Sequence, residues 1–374
     1  MTSVTPRPPP EEWGDWRWQL RNSVRTATEL SRALVLTESE LQGARDAERA
    51  GLPLGITPYM LSLCDPRDPS CPIRRQLVPT FLERRDSPGD LVDPLGEEDH
   101  TAALHLVHRY PDRALLLVTD RCAVYCRFCT RSRLVGQGGG ARPLGEFDGA
   151  LAYLSRHPEV REVIVSGGDV LAMTTPRVAA ILARLRRIPS IETVRLATRV
   201  PVVLPQRITE ELVAALRPHH PLWVMTHFNH PAELTTESRA ACRRLVDGGF
   251  PVMNQTVLLR GVNDDVEVLR TLFRGLVGER VRPYYLLQAD PVRGTGHLRT
   301  PIDVGLRIME LLQGSLSGIA LPKFIVDTPG GHGKVPVSPS YVLSRSGPVT
   351  RFRAPTGAEV DYLDPPGSSW GPGE

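Results

Sequence analysis

Cys122, Cys126 and Cys129 share one short stretch, three residues apart and then two, in Cys122-Ala-Val-Tyr-Cys126-Arg-Phe-Cys129. Three thiolates ligate three irons of a [4Fe–4S] cluster and leave the fourth iron for a small molecule bearing an amine and a carboxylate. A structural zinc site asks for four ligands, commonly paired at two-residue spacing. Cys64, Cys71 and Cys242 supply no second such pair, so they read as small packing residues. The cluster is the stronger reading, and a zinc-stabilised binding module is the alternative. Far downstream, Asp327-Thr-Pro-Gly-Gly-His-Gly-Lys334 is a glycine loop ending on a lysine. Such a loop allows close backbone approach and displays one amine, which suits Schiff-base chemistry with pyridoxal phosphate. On residue types alone, a surface turn with a solvated lysine is the commoner outcome.

These groups need a frame. From about Arg113, apolar runs alternate with amphipathic segments. The runs Ala114–Thr119, Glu162–Ser166, Thr193–Ala197, Leu222–Thr226, Val252–Leu258, Tyr284–Leu287 and Ile319–Val326 read as strands. Between them, Arg177–Arg186, Glu210–Leu216, Glu237–Asp247, Val266–Leu276 and Val304–Gln313 read as helices. Repeated strand–helix units imply an α/β fold with a buried parallel sheet, a partial barrel of the (β/α)6 type. Functional residues in such folds stand at the carboxyl ends of strands.

Residues 1–100 are expected to form an N-terminal helical region. An amphipathic segment runs from Trp13 to Ser23, and helix starts are expected at Thr26-Ala-Thr-Glu29 and Thr37-Glu-Ser-Glu40. Residues 101–330 make the partial barrel. Residues 331–364 hold the lysine loop and a small C-terminal β appendage from Tyr341–Ser344, Val349–Arg353 and Glu359–Tyr362. Residues 365–374 read as a disordered tail.

The 374 residues carry 45 Lys and Arg against 42 Asp and Glu, a net charge of +3. That balance gives no case for nucleic acid as partner. No apolar run approaches the roughly 20 residues of a membrane span, and Met1–Glu12 lacks the apolar core of a secretion signal. A cytoplasmic protein without membrane contact is expected.

The stretch Arg109-Tyr-Pro-Asp-Arg113, the strand after it and Cys122 to Arg131 resemble the lysine 2,3-aminomutase family of radical S-adenosylmethionine enzymes. So do Trp13-Gly-Asp-Trp16, Pro201-Val-Val-Leu-Pro-Gln-Arg207 and Thr226-His-Phe-Asn-His-Pro231, and the likeness spans almost the whole chain. The resemblance implies a radical S-adenosylmethionine barrel holding a [4Fe–4S] cluster on Cys122, Cys126 and Cys129, with S-adenosylmethionine and pyridoxal 5′-phosphate. It makes Lys334 the pyridoxal lysine, with Arg109, Tyr110 and Arg113 around the phosphate and ring; arginine suits phosphate through its planar fork. Ser166, Gly167, Gly168 and Asp169 match the glycine-rich turn that meets the methionine amine. His227 and Gln255 match further contact positions.

Arg131 matches the position that pairs with the substrate carboxylate, and Asp290 and Asp327 match the pair that receives the distal ammonium of lysine. Two carboxylates brought together raise one pKa unless a cation lies between them. Read without the resemblance, each aspartate is a cap or turn residue. The implied reaction moves the amino group of lysine from Cα to Cβ after a 5′-deoxyadenosyl radical removes a Cβ hydrogen. The implied partners are lysine, an electron donor such as flavodoxin or ferredoxin, and further copies of the chain in a homo-oligomer. The same shift on arginine, or β-lysine made for elongation factor P, is the alternative. Some relatives carry C-terminal zinc-site cysteines; this chain has none after Cys242.

Overall fold

Each long strand alternates buried and half-buried residues, and each following helix turns one apolar stripe onto the sheet. Helix Val266–Gly278 shows the pattern: Leu269, Leu272, Phe273 and Leu276 are buried at helical spacing. Its first turn is fixed by Asp265, whose carboxylate accepts from the backbone N–H groups of Glu267 and Val268 at 2.8 and 3.1 Å. Burying each such side chain contributes about 1.5–3 kcal/mol.

The computed structural model describes residues 10–49, 52–138 and 140–365. Ten strands form one sheet in sequence order: β1 (Thr101–Ala103), β2 (Leu106–Tyr110), β3 (Arg113–Thr119), β4 (Glu162–Gly167), β5 (Thr193–Ala197), β6 (Leu222–Thr226), β7 (Val252–Leu258), β8 (Arg282–Gln288), β9 (Lys323–Thr328) and β10 (Gly333–Pro336). Strands β3 to β9 are parallel, each joined to the next through a helix. The sheet does not close on itself. Antiparallel β1 and β2 extend one end and β10 the other. A separate antiparallel sheet holds β11 (Val342–Ser346), β12 (Val349–Arg353) and β13 (Glu359–Leu363).

Three expectations need correction. The last parallel strand begins at Lys323, because Pro322 precedes it and Ile319 is 61% exposed in the turn before. Lys334, expected at the end of a glycine loop, lies on a strand of the large sheet, since β10 pairs with β9. The Trp13–Ser23 segment is two short helices, Pro10–Trp13 and Trp16–Arg21, broken where the Asp15 carboxylate accepts from the Arg17 N–H. The capping box at Thr26 and Glu29 forms as expected. The expected tail lies, apart from Pro365, outside the described residues, as does the start to Pro9.

The N-terminal helices reach the barrel through buried polar contacts. The Thr57 hydroxyl donates to the Val203 carbonyl at 2.9 Å, and the Tyr59 and Thr235 hydroxyls bond at 2.6 Å. Within this region, Arg74 and Glu40 form a buried ion pair with two 2.7 Å contacts. Among the described residues no helix is long and apolar enough to cross a membrane.

Candidate active site

The cysteine loop starts at Cys122, three residues past β3, and is gripped from the N-terminal region. The Tyr125 N–H donates to the Gly55 carbonyl at 3.1 Å and the Arg127 N–H to the Gln76 carbonyl at 2.9 Å. The Arg127 guanidinium is ion-paired with Glu83. Cys122, Cys126 and Cys129, all free and half-buried, line one cavity of about 250 Å³ together with Gly167, Gly168 and Gln255. Burial, reinforced by the other cysteines, pushes the Cys122 thiol well up and the Cys129 thiol up to about 11. Thiols in that state need a metal or a cation to become thiolates. Three cysteines lining one space fit the ligand set of a three-cysteine cluster.

Across the cavity, β4 ends in Ser166 and Gly167. Gly167 adopts φ +121°, and a Cβ there would lie 2.2 Å from the Thr119 carbonyl oxygen. Only glycine lets the turn seat against the cysteine loop, where the Gly168 N–H donates to that carbonyl at 2.6 Å and the Asp169 N–H to the Arg121 carbonyl at 2.9 Å. The Asp169 side chain is already committed. It accepts from the Thr198 hydroxyl at 2.6 Å and from the N–H groups of Arg199 and Leu171 at 2.7 and 3.0 Å. Burial raises its pKa to about 6 despite these bonds. Asp169 thus ties the turn to the end of β5 at the wall of the cysteine cavity.

His227 follows β6, with its ring against Phe128 at 5.4 Å and its Nε2 3.1 Å from the Asn229 amide oxygen. Burial and then Arg199 depress its pKa to about 3, so the ring is neutral. The Gln255 side chain, on β7, has no hydrogen-bond partner among the described residues and lines the same cavity.

The second half of the site is built at the sheet's two ends. Lys334 on β10 stands opposite Asp327 on β9, a register that puts both side chains on one face, and they form an ion pair. The other Asp327 oxygen accepts from Arg109 on β2 at 3.3 Å. The Tyr110 hydroxyl accepts from the Lys334 N–H at 3.0 Å and from Arg109 at 2.9 Å. Two guanidinium groups cover the Tyr110 ring, Arg113 at 3.9 Å and Arg109 at 4.7 Å. A lysine amine beside two arginines and a phenol fits an aldehyde cofactor bearing a phosphate.

Asp290, just past β8, joins Asp327 in lining a further cavity of about 460 Å³. Burial pushes its pKa up to about 6; Asp327 adds to the shift, while the Thr130 hydroxyl bond at 2.9 Å, Lys334 and Arg131 oppose it. Arg131 is half-buried and clamped along one edge by Glu97, with Nε and Nη2 contacts of 2.9 and 2.7 Å. Burial works against the Glu97 carboxylate, but Arg131 outweighs it and holds the pKa below the usual range. The Arg131 Nη1 lies 3.4 Å from the Ser166 hydroxyl, beside the cysteine cavity.

The structure therefore gathers the cysteines, Arg131, Ser166–Asp169, His227 and Gln255 around one cavity, and Lys334, Arg109, Tyr110, Arg113 and Asp327 around the sheet ends, with Asp290 reaching both. Sequence reasoning missed Glu97, Thr130 and the buried group Arg199, Glu233, Gln76 and Asn229. Arg199 stands two residues past β5, where the strand-end rule points; Glu97 and Gln76 carry no local signal.

Residues 116–272 match the family model of the radical SAM superfamily, and residues 309–369 that of lysine-2,3-aminomutase. L-lysine 2,3-aminomutase of Clostridium subterminale is 49% identical over 95% of this chain and 85% of that protein. The chain belongs to the lysine 2,3-aminomutase family. The enzyme of the same name from Fusobacterium nucleatum is 47% identical over 95% of this chain and 83% of its own length. Glutamate 2,3-aminomutase of Clostridioides difficile is 40% identical over 95% of this chain and 84% of that protein.

Proposed function

We propose that this chain is a lysine 2,3-aminomutase, moving the α-amino group of L-lysine to Cβ to give β-lysine. The observation that carries the choice of lysine is the carboxylate pair Asp290 and Asp327 on neighbouring strand ends, which calls for a cation. The Lys334 ammonium is paired with Asp327 in this way. A glutamate side chain would add a third carboxylate to the pair.

The residues fit three bound groups: a [4Fe–4S] cluster on Cys122, Cys126 and Cys129, S-adenosylmethionine against the Ser166–Asp169 turn, His227 and Gln255, and pyridoxal 5′-phosphate on Lys334. When bound, these supply a primary carbon radical, from one electron passed to S-adenosylmethionine, and a carrier for the migrating amino group. Arg131 binds the substrate carboxylate through the edge that Glu97 leaves free. Asp290 and Asp327 hold the distal ammonium, so the substrate is stretched between two ionic anchors and its Cβ is fixed. Arg109 and Arg113 hold the phosphate, and Tyr110 fixes the Lys334 backbone. Neutral His227 offers a hydrogen bond without a charge. The apolar side chains of Val257, Leu287 and Phe128 line the cavity and would confine the substrate so that only its Cβ hydrogen lies within reach of the radical. We assign the electron supply to a small carrier such as flavodoxin or ferredoxin, the compartment to the cytoplasm and the working form to a homo-oligomer.

An oxygen-free assay with dithionite, S-adenosylmethionine and pyridoxal phosphate against lysine, arginine and glutamate tests the reading. Lysine is expected to turn over fastest. Faster turnover of arginine reassigns the substrate, and faster turnover of glutamate removes the role given to the acidic pair. Lys334→Ala is expected to abolish the absorbance of lysine-bound pyridoxal while leaving iron and sulfide content unchanged.

A further inference from the structure

Arg199 is a buried cation aimed at the cysteine loop. Its Nη1 donates to the Cys126 sulfur at 2.7 Å. Its Nε donates to the His227 carbonyl at 3.2 Å, and its Nη2 to the Gln76 side-chain oxygen at 2.6 Å and to Glu233 at 2.8 Å. The guanidinium also lies 5.2 Å from the Phe128 ring centre. Glu233, Gln76 and Asn229 are each 0% exposed. The second Glu233 oxygen accepts from the N–H groups of Asn229 and His230 at 2.6 and 3.0 Å, so neither partner can turn away. Burying an ion pair costs several kcal/mol of solvation, and an apolar pair of similar shape would hold the same elements together as well or better. A backbone N–H would serve if the sulfur needed only a hydrogen bond. The arrangement spends that stability on a fixed positive charge beside one sulfur.

We propose that Arg199 sets the reduction potential of the cluster, with Glu233 as its counterweight. The inference rests on the cluster reading above. A reduced cluster carries one more negative charge than the oxidised one, and hydrogen bonds to cluster sulfurs and nearby charge govern its potential. In a buried site the field of a guanidinium in contact with a ligand sulfur is weakly screened, so it favours the reduced state and raises the potential. Glu233 acts with the opposite sign from farther away, behind the guanidinium. Arg199 is therefore a positioning and tuning residue for electron entry.

The test uses the full chain, Arg199→Gln, Arg199→Lys and Glu233→Gln, each reconstituted without oxygen, analysed for iron and sulfide, and titrated electrochemically with the electron spin resonance of the reduced cluster as readout. At one solution potential, Arg199→Gln is expected to lower the ratio of reduced to oxidised cluster at least tenfold, equal to 59 mV for one electron. Arg199→Lys is expected to fall between it and the parent. Glu233→Gln is expected to shift the ratio the other way. A loss of packing alone does not produce shifts of opposite sign. Unchanged potentials, or shifts of one sign in Arg199→Gln and Glu233→Gln, overturn the proposal. Should Arg199→Gln bind no cluster, Glu233→Gln decides: an upward shift supports the proposal, and no shift or a downward one overturns it. A parent chain that binds no iron and sulfide refutes the cluster reading instead.

Discussion

Thr130→Val is the most discriminating small change to the substrate end of the site. Asp290 carries a pKa near 6 because burial and Asp327 favour its neutral form, while the Thr130 bond at 2.9 Å favours the charged one. Lysine needs the carboxylate, so kcat/KM is expected to fall as pH drops through 6, by roughly tenfold between pH 7 and pH 5 for a single proton. A hydrogen bond to a charged acceptor contributes about 1.5–3 kcal/mol, or roughly one to two pK units. Valine keeps the shape and removes the bond, so the acid limb moves up to about 7–8. The cost at pH 7 is then roughly two- to tenfold, vanishing near pH 9. Cofactor on Lys334 withdraws an ammonium that now favours the charged form, which moves both limbs up and leaves their difference. The assay is kcat/KM for lysine against pH, without oxygen, with iron content checked because Thr130 adjoins Cys129. An unshifted limb, or a loss of equal size at every pH, refutes the reasoning.

Glu97→Gln removes the charge that clamps Arg131 and is expected to raise KM for lysine by about tenfold, the worth of one charge-assisted contact, with a smaller change in kcat. Asp290→Asn is expected to raise KM for lysine more than it lowers kcat, read from the same steady-state fits. Glu40→Ala leaves Arg74 buried without its partner and is expected to cost about 3–5 kcal/mol in urea melts. In Gly167→Ala, a Cβ 2.2 Å from a carbonyl oxygen has no room, and both the denaturation midpoint and S-adenosylmethionine retention in equilibrium dialysis are expected to fall.

The parallel strands were legible because their apolar runs are bounded by turns; Thr193–Ala197, Leu222–Thr226 and Val252–Leu258 appear with the expected bounds. The antiparallel additions were not. The turn between β1 and β2 uses His105 at φ +65° where a glycine would have given a signal. β10 contains Gly333 and Pro336 and reads as loop; only its pairing with β9 makes it a strand. The cysteine triad announced itself by spacing. Glu97 and Gln76 could not, since their meaning comes from guanidinium groups 34 and 123 residues away. Asp169 shows the reverse: it sits in a recognised motif, yet its carboxylate serves the backbone.

Strands β2 and β9–β10 meet through the Arg109–Asp327 pair and the Tyr110–Lys334 bond, with no ladder between them. A staved vessel is ordinarily stiff all round; this one has a clasp. Unfastening it parts these contacts and the Gly330 N–H bond to the Pro94 carbonyl and leaves every rung of the parallel sheet intact; under the function proposed above, this is where a bulky phosphorylated ring would be admitted or surrendered sideways without unfolding. The lysine proposed to capture that ring is itself part of the clasp, so loading and latching would be one event.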